Sequence, residues 1–208
     1  MMGEAQRPST SSDLTDSETS DLKRFVALVE RWNPRINLIS KASVPEIWDR
    51  HVLDSVQVFD LAPENATSWV DLGSGGGFPG IVVAVLASHR RPALQVTLVE
   101  SDQRKAVFLR QAIRELGLRA VVRAQRIEQI SDLRADVVSA RALAALPELL
   151  AFSAPLLSTD GACLFAKGAG RRVEIEAARQ AWNFDVVEVP SLTDQAAAIL
   201  RITGVNHV

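Results

Sequence analysis

The residues whose types and spacing most clearly invite chemistry form one stretch: Val70-Asp71-Leu72-Gly73-Ser74-Gly75-Gly76-Gly77-Phe78-Pro79-Gly80. Glycines let a backbone turn sharply and let a ligand approach main-chain amides, and at the start of a helix those amides favour anionic and polar groups. An apolar run at 69–72 precedes the loop and a helical pattern over 81–88 follows it, so the setting is that of a nucleotide-type site. The segment Gly75 to Gly80 also fits the G-x-G-x-x-G fingerprint of dinucleotide binding. In that fingerprint, however, the first glycine closes the strand. Here Gly73 holds that place, with Asp71 before it and Gly75 and Gly77 after it. A turn without a ligand would not require five glycines.

Other strand ends add polar groups to the same region, because ligands of open parallel sheets sit at the carboxyl ends of strands. The second apolar run ends in Glu100, twenty residues beyond Gly80, where a carboxylate can accept both ribose hydroxyls of an adenosine; its other reading is a first-turn acid for the following helix, a role Asp102 fills equally well. Arg126-Ile127-Glu128 follows the third run. Ile127 can flank an adenine ring, with Glu128 either bonding the exocyclic amine or serving only its own loop. Arg141, after the fourth run, offers a planar fork to a carboxylate or phosphate, or else makes a surface ion pair. His51 and Asp54 stand three apart in a helical pattern, spaced either to fix that helix or to approach a substrate.

The elements that must position these groups are legible from periodicity. Residues 1–20 are acidic and rich in Ser and Thr, a composition that predicts a mobile tail dispensable for folding. Leu22, Phe25, Val26, Val29 and Trp32 predict a first helix ending at Asn33-Pro34. Ser43-Val44-Pro45-Glu46 reads as a capping box opening a second helix, whose stripe is Ile47, Trp48, Val52, Val56 and Phe59. Apolar runs at 69–72, 96–100, 120–124, 136–140 and 163–166 then alternate with helical stretches at 81–88, 103–116, 147–157 and 172–181, which predicts a parallel sheet covered on both faces. Runs at 184–189 and 197–203 are separated by too few residues for a parallel crossover, so they form an antiparallel terminal hairpin. Trp32, Trp48 and Trp182 lie on apolar stripes and read as packing residues.

Composition narrows the function classes. With 47% hydrophobic and 23% charged residues the chain has ordinary globular usage, which excludes collagenous and wholly disordered classes. A single cysteine, Cys163, rules out an internal disulfide, and no Cys/His cluster has zinc spacing, so no metal is expected. No apolar run reaches the roughly 18 residues of a membrane span, and a soluble, cytoplasmic, monomeric protein is the expectation. The net charge of -2 conceals a basic stretch: Arg104, Lys105, Arg110, Arg114, Arg119, Arg123 and Arg126 face Glu115 alone between 104 and 126. Such a stretch attracts phosphate backbones, or else is the solvated face of a helix.

The loop from Asp71 to Gly80 resembles motif one of class I S-adenosylmethionine methyltransferases. With Trp32-Asn33, Asn37-Leu38, Arg50-His51-Val52-Leu53-Asp54-Ser55, the Phe78-Pro79-Gly80 ending, Phe108-Leu109-Arg110, Arg126-Ile127-Glu128, Ser139 to Ala142 and Ala166-Lys167-Gly168, the chain is similar from about residue 22 to 203 to the bacterial 16S ribosomal RNA guanine-N7 methyltransferases. The resemblance implies an α/β Rossmann-like domain of sheet order 3-2-1-4-5-7-6, with a core over 63–208 and a helical extension over 21–62. It implies S-adenosylmethionine as cofactor, contacted by Gly73, Phe78, Ile127, Glu128 and Arg141. It further implies that the substrate is N7 of one guanine, position 527 in the 530 loop of 16S ribosomal RNA, in the small subunit or an assembly intermediate. The sequence departs from many relatives at Gly76, where proline is common, at Glu100, where aspartate is frequent, and in the one-residue gap between Ser139 and Arg141.

That chemistry asks little of side chains. Guanine N7 carries a lone pair at neutral pH, so no general base is needed and no catalytic acid or base is assigned. His51, Asp54, Arg141 and Lys167 are candidates for positioning. Lys167, Arg171 and Arg172, with Arg104, Lys105, Arg123 and Arg126, form the candidate RNA-binding set; Lys167 reads equally as a solvated strand-end lysine. A small-molecule methyltransferase is the alternative, since it would keep Gly73 and Glu100 without needing the basic stretch.

Overall fold

The structure is a computed structural model and describes residues 14–208. Seven strands form one sheet of order β3-β2-β1-β4-β5-β7-β6. The five parallel strands are β1 (Ser68–Leu72), β2 (Gln95–Val99), β3 (Ala120–Arg123), β4 (Ala135–Arg141) and β5 (Leu157–Lys167). β6 (Trp182–Pro190) and β7 (Ala198–His207) pair antiparallel, and β7 lies against β5. The predicted fold class, strand order and terminal hairpin are all present.

Both faces of the sheet are covered, as its nearly continuous apolar strands require. On one face Trp69, Val96, Leu98, Val137 and Leu164 pack with α1 (Asp16–Ile36), α2 (Asp54–Asp60), α3 (Gly80–Arg90) and α4 (Gln103–Leu116). On the other, Val70, Leu72, Val99, Val138 and Phe165 pack with α5 (Leu146–Ser153) and α6 (Arg171–Ala178). Adjacent residues of one strand thus serve opposite cores. Trp32 and Trp48 pack against the first core and Trp182 against the second. Cys163 is buried in the second, where burial pushes its thiol up to about 12 and leaves it inert.

The N-terminal region differs from its sequence reading in three ways. Residues 1–13 of the expected tail lie outside the described residues, but 16–20 are the first turn of α1. Thr15 and Glu18 close a reciprocal capping box there, and Glu18 is buried. α1 also runs past Pro34 to Ile36, ending on Asn37 in the left-handed conformation, with Asn33 Oδ1 accepting the amides of Leu38 and Ile39. A proline so near a helix end removes one hydrogen bond and leaves the last turn intact. Finally, the second helix has three parts: a 3-10 turn (Lys41–Glu46) capped by Ser40 rather than Ser43, a π-helical segment (Trp48–Leu53), and α2. Ser43 is buried and turns its hydroxyl back to the Ser40 carbonyl, so it cannot open the helix.

Candidate cofactor and acceptor site

Gly73, Gly75 and Gly77 all have positive φ, at 62°, 50° and 87°. That backbone lifts the loop off the end of β1 and into the N-terminus of α3. A Cβ on Gly73 would lie 2.6 Å from Leu143 Cδ1, so Leu143 seats directly on the bare glycine backbone and any side chain there would displace it. Glu100 closes the loop: its Oε2 accepts the Gly75 amide at 2.8 Å and its Oε1 the Asp102 amide at 2.7 Å. Asp102, not Glu100, caps α4, accepting the amides of Arg104 and Lys105. The first-turn role therefore falls to Asp102, and the Glu100 carboxylate is fixed at the strand end by the two amides.

A cavity of about 380 Å³ opens above this loop, lined by Gly73, Gly75, Glu100, Lys105, Ile127 and Glu128 among others. A hydrogen bond from its own backbone, aided by Arg126 at 3.1 Å, holds the Glu128 carboxyl below the usual range. Four predicted groups sit elsewhere. Asp71 is fully buried behind the loop: Ser139 donates to its Oδ1 at 2.7 Å while Trp69 donates to Ser139 at 2.8 Å. Its Oδ2 lies at Gly80, and burial, outweighing the hydrogen bonds from Ser139 and Ser74 and the charge of Arg141, raises the carboxyl to about 6. Asp71 therefore shapes the loop without touching a ligand in this cavity. Gly77 is packed by Phe25 and Ile81. Phe78 is a buried hub, its ring 5.0 Å from Phe25, 5.2 Å from His51 and 5.2 Å beneath the Arg141 guanidinium.

Arg141 lines a second cavity of about 770 Å³, on the far side of residues 142–145 from the first. It donates from Nη1 to His51 Nδ1 at 2.7 Å and to the Arg50 carbonyl at 3.3 Å. Because a guanidinium only donates, Nδ1 must hold a lone pair, and the imidazole proton sits on Nε2. Burial, reinforced by the Arg141 charge, drives His51 down to about 4, so it is neutral at physiological pH. Burial also lowers Arg141 to about 10, with Asp54 and Asp71 opposing, and it stays cationic. The carbonyl of Arg50 reaches this cation from the π-helical segment, an irregularity often found at functional sites. Asp54 Oδ1 accepts the hydroxyls of Ser191 and Thr193, and the side chain of Gln57 bonds the Pro190 carbonyl and the Leu192 amide, hanging the β6-to-β7 turn over this cavity.

The basic residues separate into distinct settings. Lys167 is nearly buried, donating to the Ala144 carbonyl and to Glu174 Oε2, each at 2.6 Å, so it is no solvated lysine. Arg171 is tied to Glu188 at 2.7 Å and to the Ala196 carbonyl, whereas Arg172 is exposed. Arg104 pairs with Asp102 at the start of α4, Arg123 with Asp132 at the end of β3 and Arg126 with Glu128 just beyond it, while Arg110, Arg114 and Arg119 are exposed. Gln57, Leu143 and Glu174 escape a sequence reading. Gln57 alone carried a signal, as a polar residue amid Val56, Val58 and Phe59.

Fold and site together define a class I S-adenosylmethionine-dependent methyltransferase. The sheet superposes on ribosomal protein L11 methylase of Lactobacillus delbrueckii subsp. bulgaricus with a TM-score of 0.60 at 17% identity, covering 74% of this chain and 78% of that one. It also superposes on a variant of MtNAS in complex with S-adenosylmethionine, with a TM-score of 0.58 at 16% identity, covering 90% of this chain and 76% of that one. The family model described as rRNA small subunit methyltransferase G matches residues 18–201, and the chain belongs to that family. It is 54% identical over 196 residues to ribosomal RNA small subunit methyltransferase G of Cereibacter sphaeroides, covering 94% of this chain and 95% of the relative. The protein of the same name from Acidiphilium cryptum is 50% identical over 188 residues, covering 89% and 85%. Among the described residues no helix is long and apolar enough to cross a membrane, and no cluster of His, Cys, Asp and Glu could hold a metal ion.

Proposed function

We propose that this protein transfers the methyl of S-adenosylmethionine to N7 of a single guanine, position 527 in the 530 loop of 16S ribosomal RNA, in the small subunit or an assembly intermediate. The observation that carries the reading is the pairing of two cavities across residues 142–145, one with a rigid carboxylate over a glycine cradle, the other walled by Arg141 and His51. Glu100 accepts the ribose hydroxyls, Ile127 flanks the adenine and Gly73 lets the amino-acid portion pass. Bound there, the cofactor supplies an electrophilic methyl on a sulfonium. Neither Arg141, a permanent cation, nor His51, with its Nδ1 lone pair committed to Arg141, is a proton acceptor at neutral pH. That absence suits guanine N7, which needs no deprotonation, and rate arises from alignment inside a rigid, dry site.

The test is transfer of labelled methyl to small subunits lacking the modification, followed by nuclease mapping. The expected outcome is label on N7 of one 530-loop guanine. Label elsewhere on the RNA overturns the position. Transfer to neither subunits nor naked RNA, by protein shown to bind the cofactor, favours a small-molecule acceptor.

A further inference from the structure

We propose that Lys167 and Glu174 are positioning residues that hold the partition between the cofactor cavity and the acceptor cavity, an inference that rests on the two-cavity reading above. Residues 142–145 are the shared wall: Ala142, Leu143 and Ala144 line both cavities. The wall begins in a costly conformation, Ala142 having a φ of 50° without being glycine, and Leu143 then reaches over the Gly73 cradle. Strain of that kind persists only where neighbouring structure fixes it. On its near side Arg141 is anchored by His51 and the Arg50 carbonyl. On its far side the fixing groups are Lys167 and Glu174. Lys167 Nζ donates to the Ala144 carbonyl and to Glu174 Oε2, each at 2.6 Å, and the same Oε2 accepts the Leu146 amide at 2.8 Å. The lysine side chain is only 9% exposed, so its charge is spent inside the protein rather than on a phosphate. The pair converts the end of β5 and the first turns of α6 into a fixed distance for the wall. Leu143 over the cofactor and the acceptor on its other side are then held in register for in-line transfer.

The test uses the full chain with Lys167→Met, Lys167→Arg and Glu174→Gln, at a temperature where circular dichroism shows each variant folded. Amide exchange read by mass spectrometry over peptides spanning 142–146 is expected to quicken at least tenfold in Lys167→Met and Glu174→Gln, to recover in Lys167→Arg, and to be unchanged in β1 and α4. With methyl transfer to small subunits, kcat is expected to fall tenfold or more in Lys167→Met, with KM for RNA changed less than threefold and its salt dependence unaltered. Lys167→Arg restores most of kcat. Exchange that stays slow in Lys167→Met and Glu174→Gln overturns the proposal. So does a raised KM for RNA with a shallower salt dependence, which would make Lys167 a phosphate contact. The exchange result stands whatever the methylated atom proves to be, so a failure of the guanine-N7 reading is distinguishable from a failure of the buttress.

Discussion

A single methyl group added at residue 73 puts the cofactor assignment at risk in the most direct way. The backbone there has a φ of 62° and Leu143 already occupies the space a Cβ would need. Gly73→Ala is expected to weaken binding of S-adenosylhomocysteine at least tenfold by calorimetry while thermal stability falls by about 1–2 kcal/mol, the cost of a strained non-glycine residue. Unchanged affinity would move the cofactor off this loop. Titration tests the layer beneath. His51 is depressed to about 4, so an unfolded chain takes up a proton below pH 6.5 that the folded one refuses, and its contribution to stability drains away as pH falls from 6.5 toward 4. Asp71 is raised to about 6, so between pH 6 and 3.8 the folded chain holds the extra proton and stability gains as pH falls. The two oppose one another. His51→Gln removes only the first, and its melting temperature is expected to rise relative to the native chain between pH 7 and pH 5; parallel curves would contradict the neutral imidazole. The turn at Gly73 and Gly75 and the strand-end place of Glu100 were legible in sequence because they are local properties. Asp71, Phe78 and Lys167 were not, because their neighbours, Ser139, Arg141 and Glu174 among them, come from other parts of the chain.

At the scale of elements, the central strands of the sheet are cinched at their amino ends, opposite the site, by one carboxylate. Asp136 Oδ2 accepts the amides of Thr67 and Ser68 at 2.8 and 3.1 Å and both their hydroxyls, while Oδ1 accepts Ser158 at 3.1 Å. Burial works to raise its pKa, but these donors outweigh it and hold the group down at about 2. The bonds join the entry to β1 with the starts of β4 and β5, beside the register shift between Ala135 and Val137. Asp136→Ala strands several donors at once and is expected to lower unfolding free energy by about 2–4 kcal/mol, measured by urea denaturation at pH 7. The difference should narrow as pH falls below about 4, where an unfolded aspartate begins to bind a proton. Alternating apolar runs gave away the seven strands and the terminal hairpin, since period is a local property, whereas the order of the parallel strands came only from the family resemblance. The segment from 40 to 60 was misread as one helix. Its apolar stripe is helical throughout, but the chain runs as a 3-10 turn with Ser40 as cap and Pro45 inside it, a π segment whose Arg50 carbonyl accepts from Arg141, and then α2.

For the molecule as a whole, the N-terminal extension is a structural partner of the sheet and not an appendage to it. α1 packs across α3 and α4, Arg24 reaches the Glu115 carbonyl, and His89 meets Asp21 at 3.0 Å. The tie that sequence reading missed is Glu18, placed within the expected tail. It is 1% exposed and receives Arg90 from the end of α3 in a two-point grip, Nε to Oε1 at 2.6 Å and Nη2 to Oε2 at 3.0 Å, while also closing the Thr15 capping box. Composition could not reveal it, because an acid whose partner lies 72 residues away looks the same in sequence as one facing water. Burial pushes this carboxyl up, but the bonds from Arg90 and Thr15 prevail and its pKa is lowered. A depressed acid contributes stability above its unfolded value and loses it as pH falls through the folded one. Glu18→Gln keeps the shape and the cap acceptor but removes the charge that Arg90 grips. It is expected to cost about 2–3 kcal/mol at pH 7, and the gap between variant and native chain should close as pH drops below 4.5. Leu38, Ile39 and Ser43, just after α1, line the larger cavity, the proposed acceptor site. The variant is therefore also expected to lose methyl transfer at temperatures where its circular dichroism is still native, with S-adenosylhomocysteine affinity preserved. Equal loss of cofactor affinity and transfer would mean that the extension supports the glycine loop instead, through Phe25 against Phe78, and that the acceptor wall is held independently of α1.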